Sequence, residues 1–306
     1  MKPIILLTGI NGQVGHALYA KLAQNYHVIG LLREQLDLTR PDDIRRVVRD
    51  IKPNLIINPA AYTAVDKAQS EPELAHAINA SAPQILAEEA AKLNAAMIHF
   101  STDYVYDGNK NTAYVETDAV NPVSVYGKTK LAGEVAIANV GLPHLILRTS
   151  WVYGAYGKNF LKTIIRLASE RERLTIVGDQ FGAPTSSNNI AQTLVTMLQS
   201  WQPSSQPGSQ SINGVFHFTN TGSTSWHGFA TEIVVEYNQL VVQKNWPVLQ
   251  VSLENIRAIT TADYPTPAAR PANSRLVNTK LTNSFGVCLP TWQDGLRHEM
   301  HQLVLG

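Results

Sequence analysis

Near its start the chain reads Ile4-Ile5-Leu6-Leu7-Thr8-Gly9-Ile10-Asn11-Gly12-Gln13-Val14-Gly15. The apolar run predicts a buried strand, and the residues from Val14 onward predict a helix. Glycines at 9, 12 and 15 form a G-x-x-G-x-x-G turn between the two, which lets the backbone approach a pyrophosphate. The free N–H groups and the dipole of the helix start attract phosphate. The turn therefore predicts a dinucleotide site at residues 9 to 15; an ordinary strand-to-helix turn with chance glycines is the alternative.

The composition restricts the class of protein. The chain has 306 residues, enough for one large α/β unit or for two lobes. Its 25 basic and 24 acidic residues argue against electrostatic binding of nucleic acid or of an anionic membrane. The single cysteine, Cys288, excludes an intrachain disulfide framework, and no run reaches the roughly 18 apolar residues of a membrane span. We expect a cytoplasmic protein that contacts neither nucleic acid nor membrane.

Strand-like runs alternate with helical patterns through the first half of the chain. The pattern predicts strands at 4–8, 27–32, 55–58, 97–101 and 144–148, with helices at 14–24, 41–49, 72–79, 83–93 and 126–138. Such alternation is typical of an α/β, Rossmann-type doubly wound parallel sheet. We predict a dinucleotide-binding domain over 1–150 and a smaller C-terminal substrate-binding lobe over 151–306. The chain is expected to rejoin the sheet by about 186–220, and a polar loop is expected over 201–213.

A tyrosine and a lysine lie four residues apart on the predicted helix at 126–138. Residues i and i+4 share one helix face, so Tyr126 and Lys130 can act together. An ammonium beside a phenol lowers the pKa of that phenol toward the working pH. Thr102 ends the fourth predicted strand, where ligands of open sheets bind. We predict Tyr126 as general acid, Thr102 as hydrogen-bond donor to a carbonyl, and Lys130 as ligand of the nicotinamide ribose.

Cofactor choice depends on the end of the second predicted strand. An acidic residue there selects NAD, whereas an arginine suits the 2′-phosphate of NADP. Arg33 occupies this position, so we predict NADPH with NADH as the alternative. Asp37 and Leu38 are predicted beside the adenine, with a structural role at a helix start as the alternative for Asp37. The residues that follow the third predicted strand complete the cofactor site: Ala60, Ala61 and Tyr62.

Other polar residues carry weaker signals. His99 lies inside a predicted strand, so we predict a satisfied core histidine rather than a catalyst. Arg270 and Arg275 lie on or near a proline-rich segment, where a guanidinium suits an anionic substrate and surface placement is the alternative. No cluster has metal-ligand spacing, so no metal is predicted.

Several longer stretches are more specific than the glycine turn. They are Ala64-Val65-Asp66-Lys67-Ala68, Ser101-Thr102-Asp103-Tyr104-Val105-Tyr106, Val125-Tyr126-Gly127-Lys128-Thr129-Lys130-Leu131-Ala132-Gly133-Glu134, Arg148-Thr149-Ser150-Trp151-Val152-Tyr153, Asp179-Gln180-Phe181-Gly182-Ala183-Pro184-Thr185 and the segment at 267–276. Nearly end to end, the chain resembles the extended short-chain dehydrogenase/reductase superfamily and, within it, the dTDP-4-dehydrorhamnose reductase family. The turn and the Tyr/Lys pair mark only the superfamily.

The resemblance implies reduction of the C4 ketone of dTDP-4-dehydro-6-deoxy-L-mannose to dTDP-L-rhamnose. It implies catalytic roles for Thr102, Tyr126 and Lys130. Family members use NADPH, NADH or both, so the resemblance does not decide between the cofactors. The substrate contacts that it implies are Val65, Asp66, Thr102, Asp103, Tyr104, Trp151 and Arg270.

The sequence departs from some family members, which bind Mg²⁺ through glutamates at a dimer interface. The corresponding neighbourhoods here read His16-Ala17-Leu18 and Ser186-Ser187-Asn188-Asn189. Carboxylates are missing where a hard cation needs them. We therefore expect a monomer or weak dimer, without a magnesium-bridged interface.

Two alternatives to a reductase remain open. A sugar-nucleotide epimerase of the same superfamily would keep its NAD tightly bound and need no added reductant. A regulatory subunit of methionine adenosyltransferase shares the fold and many of the motifs, and works through protein binding. The intact Thr102, Tyr126 and Lys130 favour an enzyme.

Overall fold

The computed structural model describes residues 2–203 and 212–304. Of the loop predicted over 201–213, residues 204–211 therefore lie outside the described part. The strands are Ile4–Thr8 (β1), His27–Leu31 (β2), Leu55–Asn58 (β3), Ala96–Thr102 (β4), His144–Thr149 (β5), Val152–Tyr153 (β6), Leu174–Val177 (β7), Phe181–Gly182 (β8), Thr185–Ser186 (β9), Gly214–His217 (β10), Thr224–Ser225 (β11), Ile256–Ile259 (β12) and Asn273–Ser274 (β13). The α-helices are Gln13–Leu22 (α1), Pro41–Ile51 (α2), Val65–Ala68 (α3), Pro72–His76 (α4), Ala82–Lys92 (α5), Val125–Val140 (α6), Phe160–Glu170 (α7), Ser187–Ser200 (α8), Trp226–Lys244 (α9), Thr279–Phe285 (α10) and Trp292–Gln302 (α11).

The main sheet has six strands in the order β10-β5-β4-β3-β1-β2. Every neighbouring pair in it is parallel. This architecture confirms the predicted α/β class with a Rossmann-type sheet. The chain rejoins the sheet at β10, which pairs with β5 after a long excursion.

Alternate residues of the central strands face two different helical layers. On one face, Leu7, Ile57 and Leu147 pack in a cluster with residues of α1 and α8. On the other face, Leu6 and Ile56 pack with residues of α2, α5 and α6. Since strand side chains alternate between faces, near-continuous apolar runs are what a sheet covered on both sides requires.

A π-helix, Ala77–Ser81, joins α4 to α5 where the sequence predicts two separate helices at 72–79 and 83–93. Pro83 has no N–H group and cannot donate to the carbonyl of Asn79 four residues earlier, so the regular α-helical pattern is interrupted. The freed carbonyl approaches α6, because a Cβ placed on Gly133 would lie 2.2 Å from the Asn79 oxygen. Proline and glycine together let α6 pack tightly beside the π-helix.

A second group of elements follows β5 and has its own apolar cluster. Residues of α7, α9 and α11, with β7 and β12, supply this cluster, and Leu161, Phe229 and Leu296 are fully buried in it. The pattern of residues 160–170 predicts α7, whereas no helix was predicted at α9 or α11. Within the described residues, none of the helices has the length and apolar character needed to cross a membrane.

Candidate active site

A cleft of about 770 Å³ opens beyond the carboxyl ends of the central strands. Its walls come from the glycine turn, from the segments after β2, β3 and β4, from the start of α6, and from residues 149–152 after β5. Ligands of open parallel sheets bind at this edge. The cleft therefore collects most of the predicted site residues in one place.

The glycine turn has the geometry of a phosphate cradle. Gly9 has φ +61°, a backbone conformation that residues other than glycine rarely adopt. A Cβ on Gly15 would lie 2.1 Å from the Gly9 carbonyl oxygen, so this position also requires glycine. Gly12 is the N-cap of α1, with no capping side chain and no acidic residue in the first turn. The first N–H groups of the helix thus remain free for an anion. The predicted Asn11, Gln13 and Val14 line the cleft with these glycines, and the site fits a dinucleotide.

The second predicted part of the cofactor site lies after β2. Arg33, Asp37 and Leu38 all line the cleft. Asp37 accepts two hydrogen bonds from Thr39, one from its backbone N–H at 2.9 Å and one from its hydroxyl at 2.7 Å. The backbone hydrogen bond is the main cause that lowers the pKa of Asp37. Asp37 therefore stabilises the turn before α2, while Arg33 is the cation at this end of the cleft.

The segment after β3 is held by a side chain of the π-helix. Ala60, Ala61 and Tyr62 line the cleft, as predicted. The Asn79 amide accepts from the Tyr62 N–H at 2.8 Å and donates to the Tyr62 carbonyl at 3.1 Å. It also donates to the Thr129 hydroxyl at 3.2 Å, which ties this segment to α6.

Helix α6 begins where it can place Tyr126 against the end of β4. The Ser124 hydroxyl caps the helix by accepting from the Gly127 N–H at 3.1 Å. A Cβ on Gly127 would lie 2.2 Å from the backbone carbonyl oxygen of Tyr104, so only glycine lets α6 approach this segment so closely. The rings of Tyr104 and Tyr126 meet edge to face at 5.5 Å between centroids. Thr102, Tyr126 and Lys130 all line the cleft.

The electrostatics of Tyr126 differ from the sequence-based expectation. Burial raises the pKa of Tyr126 to about 12, against a lowering effect of a hydrogen bond with Thr102. The expected lowering by Lys130 is wrong for this structure because the Lys130 Nζ donates to the Phe100 carbonyl at 2.6 Å and contacts His99 at 3.1 Å. At neutral pH the Tyr126 phenol is protonated, as a proton donor must be, although it is a weaker acid than a phenol whose pKa lies near the working pH.

His99 contacts the predicted catalytic lysine. The sequence analysis predicted a satisfied core histidine, and the ring is indeed fully buried with a partner at each nitrogen. One of those partners is Lys130, which the position of His99 within a strand could not reveal. No local sequence pattern points to this partner, because His99 on β4 and Lys130 on α6 come together only in the fold.

The predicted substrate residues divide into two groups. Val65, Asp103, Tyr104 and Trp151 line the cleft with Thr102. The Thr102 hydroxyl donates to the Asp103 carboxylate at 2.9 Å, and burial raises the pKa of Asp103 to about 6.

Asp66 and Arg270 are absent from the cleft lining and pair with each other. The Arg270 Nη2 lies 2.8 Å from the Asp66 Oδ2. The Asp66 Oδ1 accepts from the Ala268 N–H at 3.2 Å, which holds the proline-rich segment against α3. Both charges affect the pKa of Tyr104, which places them next to the cleft. Arg275 is turned toward Asn273 and the carbonyl of Asn111.

Trp226 is a cleft residue that the sequence analysis missed. Its indole stacks on that of Trp151 with 3.6 Å between centroids and 10° between planes. Trp151 has φ +47°, a strained conformation for a bulky residue. A Cβ on Gly182 would lie 2.6 Å from the Trp151 ring, so glycine makes room for this stack. Serine is a favoured N-cap residue, so Ser225 is the sequence signal that could have located the start of α9, whose first residue is Trp226.

Comparison with known proteins identifies the family. The model of the family described as RmlD substrate binding domain matches residues 1–305. The chain belongs to this family. It is 44% identical to the dTDP-4-dehydrorhamnose reductase of Burkholderia thailandensis over 289 residues, which cover 94% of this chain and 95% of that enzyme.

Two solved structures of family members resemble this chain over nearly its full length. A dTDP-4-dehydrorhamnose reductase from Bacillus anthracis in complex with NADP has a TM-score of 0.86 and 33% identity, covering 99% of this chain and 100% of that one. A dTDP-4-dehydrorhamnose reductase from Clostridium acetobutylicum has a TM-score of 0.87 and 35% identity, covering 98% of this chain and 99% of that one.

Among the described residues of the present chain, no group of three or more His, Cys, Asp or Glu side chains could hold a metal ion.

Proposed function

We propose that this protein is a dTDP-4-dehydrorhamnose reductase, which reduces the C4 ketone of dTDP-4-dehydro-6-deoxy-L-mannose to dTDP-L-rhamnose. The observation that carries the proposal is the placement of Thr102, Tyr126 and Lys130 in the same cleft as the glycine turn. The names of its relatives supply the substrate. An epimerase or a regulatory subunit has no comparable support among these full-length relatives.

The cofactor assignment is a reduced nicotinamide dinucleotide, with NADPH preferred. When bound, this group supplies the hydride that reaches the carbonyl carbon. Residues 9 to 15 would hold its pyrophosphate, and Arg33 would pair with a 2′-phosphate. Asp37, a carboxylate on the same wall of the cleft as Arg33, already accepts two hydrogen bonds from Thr39. The complex of the Bacillus anthracis relative with NADP supports the same choice.

The proton in the proposed reaction comes from Tyr126. Its phenol keeps its proton at neutral pH because burial raises its pKa to about 12. As the C4 oxygen gains charge, it becomes a stronger base than the phenolate, and Tyr126 protonates it. Thr102 hydrogen-bonds the same oxygen. Lys130, which lines the same cleft, would bind the nicotinamide ribose.

The substrate site is proposed between the main sheet and the second group of elements, with residues 1–150 forming mainly the cofactor domain and 151–306 mainly the substrate lobe. Val65, Asp103, Tyr104 and the Trp151 indole would contact the sugar nucleotide, while Asp66 and Arg270 border it. We place the enzyme in the cytoplasm, as a monomer or weak dimer without bound magnesium.

The test is oxidation of NADPH and NADH with the 4-keto sugar nucleotide made in situ. Wild-type protein should consume added NADPH in proportion to product and show a higher kcat/KM with NADPH than with NADH. Tyr126→Phe should lose at least about a hundredfold in kcat, the usual scale of general acid catalysis. Tyr264→Phe, at a tyrosine that is 61% exposed, is the matched control and should retain kcat. Near-normal kcat in Tyr126→Phe, or turnover without added reductant, contradicts the proposal.

A further inference from the structure

A row of polar side chains crosses three strands beneath the cleft. Thr8 is the last residue of β1, Asn58 is the last residue of β3, and His99 lies in the middle of β4; all three are buried. The Thr8 hydroxyl lies 2.6 Å from the Asn58 amide oxygen, and the Asn58 amide nitrogen lies 3.1 Å from the His99 Nδ1. On the far side of the ring, the His99 Nε2 lies 3.1 Å from the Lys130 Nζ.

This row is unusual because the surrounding sheet is apolar. Strand alternation puts the three side chains on the face covered by α2, α5 and α6, together with Leu6, Ile56 and Met97. Burying polar groups costs free energy unless each is hydrogen-bonded, and apolar residues would fill the same space without that requirement. The row therefore calls for a role beyond packing, and it ends on Lys130.

Lys130 sets the direction of these hydrogen bonds. A hydroxyl and an amide each donate and accept, and turning an Asn amide by 180° exchanges its oxygen and nitrogen, so Thr8 and Asn58 can serve either tautomer of His99. An ammonium only donates. The contact with Lys130 therefore requires an unprotonated Nε2 and places the imidazole proton on Nδ1.

We propose that His99 is a positioning residue that holds Lys130 in its catalytic orientation by accepting a hydrogen bond from the Nζ. The inference rests on the proposed function, in which Lys130 binds the nicotinamide ribose. With the Phe100 carbonyl as second acceptor at 2.6 Å, two of the three ammonium N–H bonds point to β4. The third N–H remains for the cleft, which Lys130 lines.

The charges around Lys130 are consistent with this role. Burial and the nearby Lys130 charge lower the pKa of His99, which keeps the imidazole neutral and able to accept. Burial lowers the pKa of Lys130 to about 8, while Glu134 on the same helix raises it. Glu134 is itself paired with Arg148 of β5 at 2.6 Å. The neutral acceptors of β4 therefore carry much of the support for the ammonium.

Two amide substitutions separate positioning from packing. The amide of His99→Gln reaches the place of Nε2 and can still accept from Lys130, whereas that of His99→Asn ends near Nδ1 and cannot. We expect His99→Asn to lower kcat roughly tenfold to a hundredfold, the scale of a hydrogen bond to a charged group, and to move the alkaline loss of activity down by about one pH unit. His99→Gln should stay within about threefold of wild type.

His144→Gln is the matched control. His144 is another buried strand histidine, on β5, and its ring contacts the Leu142 carbonyl. This variant should retain both kcat and the pH profile. Equal losses in His99→Asn and His99→Gln without a change in the pH profile would reduce His99 to a packing residue and overturn the proposal, as would a wild-type profile in His99→Asn.

A measurement on wild-type protein is independent of turnover and of variant folding. In ¹⁵N spectra of the histidine rings, His99 should show a protonated Nδ1 and an unprotonated Nε2. A proton on Nε2 would overturn the assignment even in an active enzyme. If the sugar nucleotide is not reduced at all, the proposed function fails while the tautomer still decides the role of His99.

Discussion

At the residue scale, the proposed preference for NADPH depends on Arg33. A guanidinium pairs with a 2′-phosphate through charged hydrogen bonds worth about 1.5–3 kcal/mol, and NADH lacks that phosphate. Arg33→Gln should therefore lower kcat/KM for NADPH roughly tenfold to a hundredfold and leave that for NADH within about threefold.

The matched control for Arg33 is Arg40→Gln. Arg40 is a nearby arginine whose side chain is 71% exposed and paired with Asp43, and its replacement should leave both kcat/KM values unchanged. Equal losses for the two cofactors in Arg33→Gln would show that Arg33 does not read the phosphate.

Residues differed in how far the sequence could locate them. Gly9, Tyr126 and Thr102 were predictable because turn chemistry, helix spacing and a strand end are local patterns. The partnership of His99 with Lys130 and the stack of Trp226 on Trp151 were not, because each joins positions that are distant in sequence. Nor could the sequence show where the Lys130 ammonium points, and for that reason the direction of the Tyr126 pKa shift was predicted wrongly.

At the element scale, Glu89 ties α2 to α5. Its buried carboxylate contacts Arg49 at 2.7 Å and Lys92 at 2.7 Å. The hydrogen bond with Arg49 is the main cause that lowers the pKa of Glu89 to about 2 from an ordinary 4.5. Because the folded-state pKa is depressed, this stabilisation is complete above about pH 4.5 and is lost as the pH falls toward 2.

Glu89→Gln should lower the free energy of unfolding at pH 7 by about 1–3 kcal/mol, a range reduced by the exposure of both cationic partners. Urea unfolding at pH 7 and pH 3 measures this, and the difference from wild type should shrink at pH 3. Glu88→Gln is the control, because the Glu88 carboxylate accepts a hydrogen bond from a neutral amide, that of Gln84 at 2.9 Å. A difference that is independent of pH would mean that the loss is one of packing rather than of charge.

The elements of the sheet were predictable for the same reason that the sheet is stable. In β3, for example, Leu55, Ile56 and Ile57 are all apolar because both faces of the sheet are covered, and the short length of such runs distinguishes them from helices. Helices α9 and α11 were missed because they pack against each other in a separate cluster. In that part of the chain, strands and helices do not alternate regularly, so the pattern that predicted the earlier helices is missing. The π-helix before Pro83 was likewise hidden, since a proline predicts a break but not a continuous bulged helix.

At the scale of the whole molecule, the cleft depends on contacts between the two groups of elements. The Gln13 side chain, beside the phosphate cradle, accepts from the Asn159 amide at 2.9 Å and donates to the Val152 carbonyl at 3.4 Å. His16 on the same helix stacks on Tyr156 with 3.7 Å between centroids. Helix α1 thus joins the glycine turn to the segment that follows β6, so the proposed cofactor site and the proposed substrate lobe are structurally linked.

The two neighbourhoods at which the family resemblance implies a bridging metal in some members make internal contacts in this chain. His16 stacks on Tyr156, the Ser186 hydroxyl donates to the Glu299 carboxylate at 2.6 Å, and the Asn188 N–H donates to the same carboxylate at 3.2 Å. A hard cation needs several oxygen ligands, most of them carboxylates. Glu299, which also accepts from the Ala155 N–H at 2.8 Å and so has three donors within this chain, cannot supply such a set alone.

We therefore expect that removing divalent metal changes neither activity nor association. Sedimentation velocity of the full chain in Mg²⁺ and in EDTA should give the same distribution of monomer and weak dimer. The kcat values in the two conditions should differ by less than about twofold. At a functional metal site, even the loss of a residue that supports a metal ligand lowers activity by about tenfold or more. Ca²⁺ in place of Mg²⁺ serves as the control for ionic strength and charge. A dimer that dissociates in EDTA and reforms with Mg²⁺ would show that carboxylates from two copies complete a site, which the contacts of Glu299 within one chain argue against.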